Sequence, residues 1–225
     1  MIEDRLNQEQ IILNASDVDD IETYVTGITG ATISYNTRSS VEGGELTSAQ
    51  TYTVAGVLEN FAEAGKLSLS EGYFLDEIDN DSKSKVCVIG ASVAKEVFGS
   101  VADAVNSIIY IDDRSYTIIG VLESSNSVVS GISPDMSILV PYQTGMKYIT
   151  GEEIDPTITV IAEDVNTLQS VITNVKTVLE ENYPNASFTF EDSGSKMKAA
   201  EASNRTLTML LSAMAAIVFL VGGIG

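Results

Sequence analysis

The 225-residue chain contains no histidine, no tryptophan and a single cysteine. Without histidine there is no imidazole to activate a serine or cysteine nucleophile, to ligate zinc or iron, or to act as a general base near neutral pH. Most hydrolase chemistries are thereby excluded. Cys87 has no partner for an internal disulfide and cannot build a thiolate zinc cage. It lies inside the apolar run Val86-Cys87-Val88-Ile89, where a thiol serves as a small buried hydrophobe. Positive charge is scarce as well: 12 Lys and Arg stand against 32 Asp and Glu, a formal net charge of −20. No basic cluster along the sequence exceeds Lys196 and Lys198, so the cations that displace counterions from a phosphate backbone are missing, and no nucleic-acid partner is expected.

A hydrophobic fraction of 44% is far above that of an acidic disordered tail, so the chain is expected to fold. Its length suits one large domain or two small ones. The most informative stretch is the last. Residues 206–225 carry no Asp, Glu, Lys or Arg, and 14 of the 20 are apolar. At about 1.5 Å rise per residue, such a run in helical form reaches roughly the ~30 Å thickness of a bilayer core. It is apolar all round, unlike an ordinary amphipathic helix. This predicts the start of a transmembrane helix, with Leu210, Leu211, Met214, Ile217, Val218, Phe219, Leu220, Val221, Gly222 and Gly223 embedded in the membrane. The opposite end, Met1-Ile2-Glu3-Asp4-Arg5, opens without the apolar core of a signal peptide, and the expectation is a piece of a longer membrane protein. Lys196, Lys198 and Arg205 before the span favour a cytoplasmic side, whereas long domains translocate largely regardless of charge, so charge alone leaves orientation open.

Periodicity sorts the rest into three blocks. Ser16 and Asp19 suggest a capped helix over about 17–26, followed by strands at 31–35 and 52–57 joined by a flexible Ser39-Ser40-Val41-Glu42-Gly43-Gly44, and by a helical turn or two at 59–64. Next come a buried strand Val86–Ile89, a short helix Ala91–Phe98 ended by Gly99, strands at 107–112 and 115–122 in hairpin spacing, and a strand at 137–140 stopped by Pro141. The last block has an alternating strand Thr157–Ala162 and a helix from an Asp164 cap to about residue 182. Leu168, Val171, Ile172, Val175, Val178 and Leu179 form that helix's apolar face, and a strand is expected at 187–191. From residue 195 a helical stalk is expected to run into the apolar end.

Val88-Ile89-Gly90-Ala91-Ser92-Val93-Ala94 reads as strand, glycine and helix start, half of a dinucleotide fingerprint. Ala91 and Ser92 stand where further glycines would let a backbone approach phosphate, and no Walker motif exists. Asp76, Glu77, Asp79 and Asp81 are acidic enough to attract calcium, but Lys83 and Lys85 occupy later ligand positions of an EF-hand loop, so a solvated turn is expected. No catalytic, cofactor or metal residues are assigned. Three glycosylation-type triplets at Asn14, Asn185 and Asn204 are short enough to occur by chance.

In order along the chain, Tyr52-Thr53-Val54-Ala55-Gly56-Val57, Leu69-Ser70-Glu71-Gly72-Tyr73-Phe74, the run 86–94, Val97-Phe98-Gly99, Tyr116-Thr117-Ile118-Ile119-Gly120-Val121-Leu122, Ile138-Leu139-Val140-Pro141 and Val221-Gly222-Gly223-Ile224-Gly225 resemble the extracytoplasmic part of a MacB-like permease of the FtsX/MacB family of ABC transporters. Tyr73 stands where that family usually has Arg, and Asp103-Ala104-Val105-Asn106-Ser107 replaces its Asp-Pro-x-Gly-Lys-like turn. The resemblance implies an α+β body of two lobes. One is a mixed α/β lobe from residues 1–66 and 150–194, the other a mostly β lobe inserted at 67–149, and 195–225 form a stalk and the start of a membrane helix. It further implies a cell-membrane location with residues 1–205 outside the cytoplasm, a cytoplasmic ATP-binding partner, a second permease copy in a homodimer or heterodimer, and in many members a membrane-fusion adaptor. The function implied is noncatalytic: relaying ATPase-driven motion across the membrane for export of a hydrophobic compound, peptide or lipoprotein. A signalling or scaffold module that regulates a cell-wall hydrolase or sensor kinase is the alternative.

Overall fold

The structure is a computed structural model that describes residues 11–151, 154–184, 186, 188, 190–191, 208–212 and 216–221. The chain divides into two compact units, one from residues 1–31 and 155–225, the other from residues 32–154. The cuts therefore fall before most of the first long strand and just after residue 154, rather than at 66/67 and 149/150. The strand at 31–35, from Thr32 onward, and the strand at 52–57, assigned from sequence to the α/β lobe, belong to the inserted unit, where β1 and β2 pair with its other strands.

In the discontinuous unit, helix α1 (Ala15–Tyr24) starts at Asn14, whose side-chain oxygen accepts from the Ser16 amide at 2.8 Å. The Asn14 amide in turn donates to Asp17 Oδ2 at 2.8 Å, closing a capping box two residues earlier than the Ser16 and Asp19 pair expected from sequence. The first residues of strand β1 (Ile28–Gly43) lead towards β8 (Thr157–Ala162). Asp164 caps as expected, but it accepts from the Asn166 amide at 2.7 Å to hold a 3-10 turn, and helix α6 (Leu168–Asn182) follows that turn. Of the apolar face expected, Leu168, Val171, Val175, Val178 and Leu179 are buried and Ile172 is half-buried, and α6 packs on α1, whose Val18 and Ile21 are buried. Burying each such side chain contributes about 1.5–3 kcal/mol relative to leaving it in water.

The apolar end departs from the helix expected. Strands β10 (Thr208–Ser212) and β11 (Ala216–Val221) pair antiparallel, and β11 runs parallel to β8 with Ile217 opposite Ile158 and Phe219 opposite Val160. Strand β9 (Phe190–Glu191) pairs with β10. Among the described residues no helix is long and apolar enough to cross a membrane. An apolar run rich in Ile, Val, Phe and Leu suits a strand as well as a buried helix, and the edge of β8 offers it a full ladder of backbone partners. The stalk expected from residue 195 lies outside the described residues.

In the inserted unit six strands form a closed circuit. β1 pairs antiparallel with β2 (Gln50–Val57), and β2 runs parallel to β7 (Ser137–Pro141). β7 is antiparallel to β4 (Val86–Ile89), which is parallel to β6 (Arg114–Leu122). β6 is antiparallel to β5 (Ile108–Ile111), and β5 returns to β1 through Val41–Gly43. A barrel so closed pairs each of the six strands on both sides over at least part of its length. The short β3 (Leu69–Gly72) takes the stretch of β6 edge beyond β5. Alternation sends Tyr52, Val54, Cys87, Ile89, Ile109, Ile111, Tyr116, Ile118, Ile138 and Val140 into one core, completed by Val93, Ala94, Val97 and Phe98 of helix α4 (Ala91–Phe98). The run 39–44, read from sequence as a flexible joint, is strand as far as Gly43 because both of its edges are paired. Two further short helices, α2 (Phe61–Ala64) and α3 (Glu77–Ser82), lie in the connections. A last one, α5 (Tyr142–Gly145), passes directly into a π-helical segment, Met146–Thr150.

Candidate functional site

Each chemical motif singled out in the sequence has a structural explanation. Gly90 precedes α4 as its cap residue, and a Cβ placed there would lie 2.1 Å from the carbonyl oxygen of Asp135. The glycine is needed for close approach to protein backbone. Ser92 Oγ, at the head of the same helix, donates to the Asp135 carboxylate. An anion binding at that helix N-terminus would meet a fixed negative charge, so the strand-glycine-helix pattern holds a turn and cradles no phosphate.

The acidic run is equally self-contained. Asp76 caps α3 by accepting from the Asp79 amide at 2.8 Å, and the Asp76 amide in turn donates to Asp79 Oδ2. It is a short exposed helix where sequence suggested a solvated turn. Among the described residues no group of three or more His, Cys, Asp or Glu side chains could hold a metal ion. Cys87 is fully buried in the barrel core, and desolvation pushes its thiol far above the usual range, so it is inert as a nucleophile.

The polar feature of the discontinuous unit is a junction between its two helices. Asp17, 2% exposed, accepts from the Tyr183 hydroxyl at 2.9 Å and from Asn182 Nδ2 at 3.4 Å, in addition to the Asn14 amide. Burial and the adjoining Asp17 carboxylate hold the Tyr183 phenol well above its ordinary range. The start of α1 is thus tied to the end of α6 by a buried, charge-assisted network. Spacing could not have revealed it, because its members lie more than 160 residues apart.

Of the residues expected in the membrane, Leu210 and Leu211 lie on β10, and Ile217, Val218, Phe219, Leu220 and Val221 on β11, with Leu210 in register with Val218 and Leu211 with Ile217 along the ladder. Met214, Gly222 and Gly223 lie outside the described residues.

Comparison with known proteins gives this architecture its relatives. Residues 3–178 match the model of the MacB-like periplasmic core domain. The chain belongs to that family. This MacB-like domain is 32% identical over 177 residues to the macrolide export ATP-binding/permease protein MacB of Wolinella succinogenes, covering 78% of this chain and 27% of that protein. It is 26% identical over 156 residues to the pyoverdine export ATP-binding/permease protein PvdT of Pseudomonas syringae, covering 69% of this chain and 24% of the relative. The chain therefore spans about a quarter of the length of these curated relatives. Two solved structures share its fold. The extracellular domain of the noncanonic ABC-type transporter YknZ from Gram-positive bacteria matches with a TM-score of 0.63 at 17% identity, over 76% of this chain and 84% of that one. The periplasmic region of MacB from Actinobacillus actinomycetemcomitans matches with a TM-score of 0.62 at 21% identity, over 80% and 79%. The family and the α+β class inferred from the ordered motifs are both established by these matches.

Proposed function

We propose that this MacB-like domain is the noncatalytic extracytoplasmic part of an ABC transporter permease subunit. In this reading it carries ATPase-driven motion across the membrane for export of a hydrophobic compound, peptide or lipoprotein. The observation that carries the proposal is the layout of the chain: one unit is built from two separate stretches of sequence, and the barrel is inserted between them, at 31/32 and 154/155. A body that enters and leaves through one unit suits a place between two membrane segments, and a closed barrel moves as one piece. The chargeless stretch 206–225 supports membrane attachment at the C-terminal end. In the intact protein we expect it to enter the bilayer as a helix, leaving the strands that it forms against β8. A cytoplasmic ATP-binding subunit, a second permease copy and a membrane-fusion adaptor are the partners this function calls for.

Spin-spin distance measurement on the whole permease, reconstituted with its ATPase in lipid nanodiscs, tests the proposal. Asp113, exposed in the β5–β6 turn, is a suitable label position as Asp113→Cys, because the buried Cys87 will not react. The distance between labels on the two permease copies is expected to change between the nucleotide-free and vanadate-trapped states. An identical distribution in both states would refute a relay.

A further inference from the structure

The inserted unit has seven Lys and Arg residues, and four of them, Lys83, Lys85, Arg114 and Lys147, gather round Tyr148 although they are scattered along the sequence. Lys85 Nζ lies 4.7 Å and Lys147 Nζ 4.9 Å from the centroid of the Tyr148 ring. Arg114 Nη1 donates to the Tyr148 carbonyl at 2.6 Å. Topology explains the gathering. Lys85 immediately precedes β4 and has the parity of inward-facing Cys87, while Arg114 opens β6 with the parity of inward-facing Tyr116. The Thr117 amide donates to the Lys85 carbonyl at 3.0 Å, so parallel β4 and β6 enter the barrel from the same end, β6 starting three residues before that contact. Both cations thus stand on the rim of one barrel mouth. The π-helical segment covers that mouth, with Ile149 packed against the core and Tyr148 held between the two lysines. Such π turns are rare and recur at functional sites.

The cations are also unspent. Among the described residues the one ion pair joins Lys176 to Glu180 at 3.4 Å, on α6 of the other unit. Asp112, two residues before Arg114, accepts instead from the Ser40 amide at 3.0 Å. Lys85, Arg114 and Lys147 are exposed. The neighbouring Lys147 ammonium, together with the charges of Lys85 and Lys83, lowers the Tyr148 phenol from its ordinary value, as expected beside positive potential. In a chain of net charge −20, four cations that make no ion pair among the described residues and surround one aromatic edge call for an anionic partner.

We propose that this basic mouth is the docking site of a partner protein that presents a short cluster of carboxylates. The size of the patch against the charge of the whole decides the class of partner. A long polyanion or an anionic membrane surface would extend past four cations into the field of a strongly acidic body and be repelled. A folded protein with a compact acidic patch, neutral or basic around it, gains the attraction without that repulsion. The half-buried Tyr148 adds an apolar contact between the charges. The proposal stands on the patch alone and does not require export as the function.

Fluorescence anisotropy tests it. A labelled peptide carrying about four consecutive glutamates between neutral flanks is titrated with the 225-residue chain at low and at physiological salt. Saturable binding is expected, weakened about ten-fold or more by Lys85→Ala with Lys147→Ala. The exposed control pair Lys95→Ala with Lys176→Ala is expected to stay within about two-fold of the parent. All four substitutions are at the surface, and circular dichroism checks that each double variant is folded. Inorganic phosphate and phosphatidylglycerol vesicles serve as competitors. No saturable peptide binding, equal loss in both double variants, no loss in either, or tighter binding of the vesicles than of the peptide would each overturn the proposal.

Discussion

Tyr116 is a large, 1% exposed side chain in the barrel core whose hydroxyl has no hydrogen-bond partner among the described residues. Burial pushes its phenol from about 10 up to about 12. The folded state therefore favours the protonated form. This contribution to stability is fully present below about pH 10, the unfolded value, and is lost as pH rises towards about 12. Tyr52 is raised to about 12 by burial and by the adjacent Glu96, and adds a similar alkaline slope. Tyr116→Phe removes one of these raised ionisations and deletes an unpartnered hydroxyl, so it is expected to leave neutral-pH stability unchanged or slightly higher and to shallow the alkaline decline. Urea midpoints taken at neutral pH and in the alkaline range read this directly, and an unchanged alkaline slope would contradict it. The residue scale also holds what the sequence could not disclose. Lys83 and Lys85 form a pair spaced like Lys196 and Lys198, but Arg114 and Lys147 are distant from it along the chain, and they meet because parallel β4 and β6 enter the barrel from the same end.

Elements with strong local signals are where sequence and structure agree most closely. The apolar run Val86–Ile89, the helix Ala91–Phe98 with its glycine stop, and the alternating strand Thr157–Ala162 have the limits that their residues suggest. Elements fixed by distant partners were less legible. β1 runs sixteen residues, through a Gly- and Ser-rich segment that reads as a joint, because β2 and β5 pair with it from opposite sides. The apolar end satisfies strand and helix periodicities alike, and local pattern cannot arbitrate between an open sheet edge and a bilayer. Gly90 illustrates how a local motif acquires its meaning from a neighbour: the turn before β7 comes so close that no Cβ fits between them. Gly90→Ala is accordingly expected to destabilise the chain by about 1–3 kcal/mol through overpacking. Chemical denaturation measures the loss, and a variant as stable as the parent would show that the contact is loose.

At the scale of the molecule, the chain is a MacB-like periplasmic core domain of two compact units, and its place in a permease, with attachment to a membrane through the C-terminal end, is the reading we propose. The candidate site in the membrane was read entirely from composition, since residues 206–225 lack charge. The buried junction of Asp17 with Tyr183, which steadies the unit carrying both chain ends, is a product of tertiary folding alone. The central claim, an outward-facing domain anchored by its apolar end, is tested most directly by cysteine accessibility of the full-length protein in right-side-out membrane vesicles. Cys87 is a silent background, being fully buried. Asp113→Cys is predicted to react with a membrane-impermeant maleimide at once, and Phe219→Cys only after detergent is added. Immediate labelling of Phe219→Cys, or protection of Asp113→Cys until the vesicles are opened, would contradict the account.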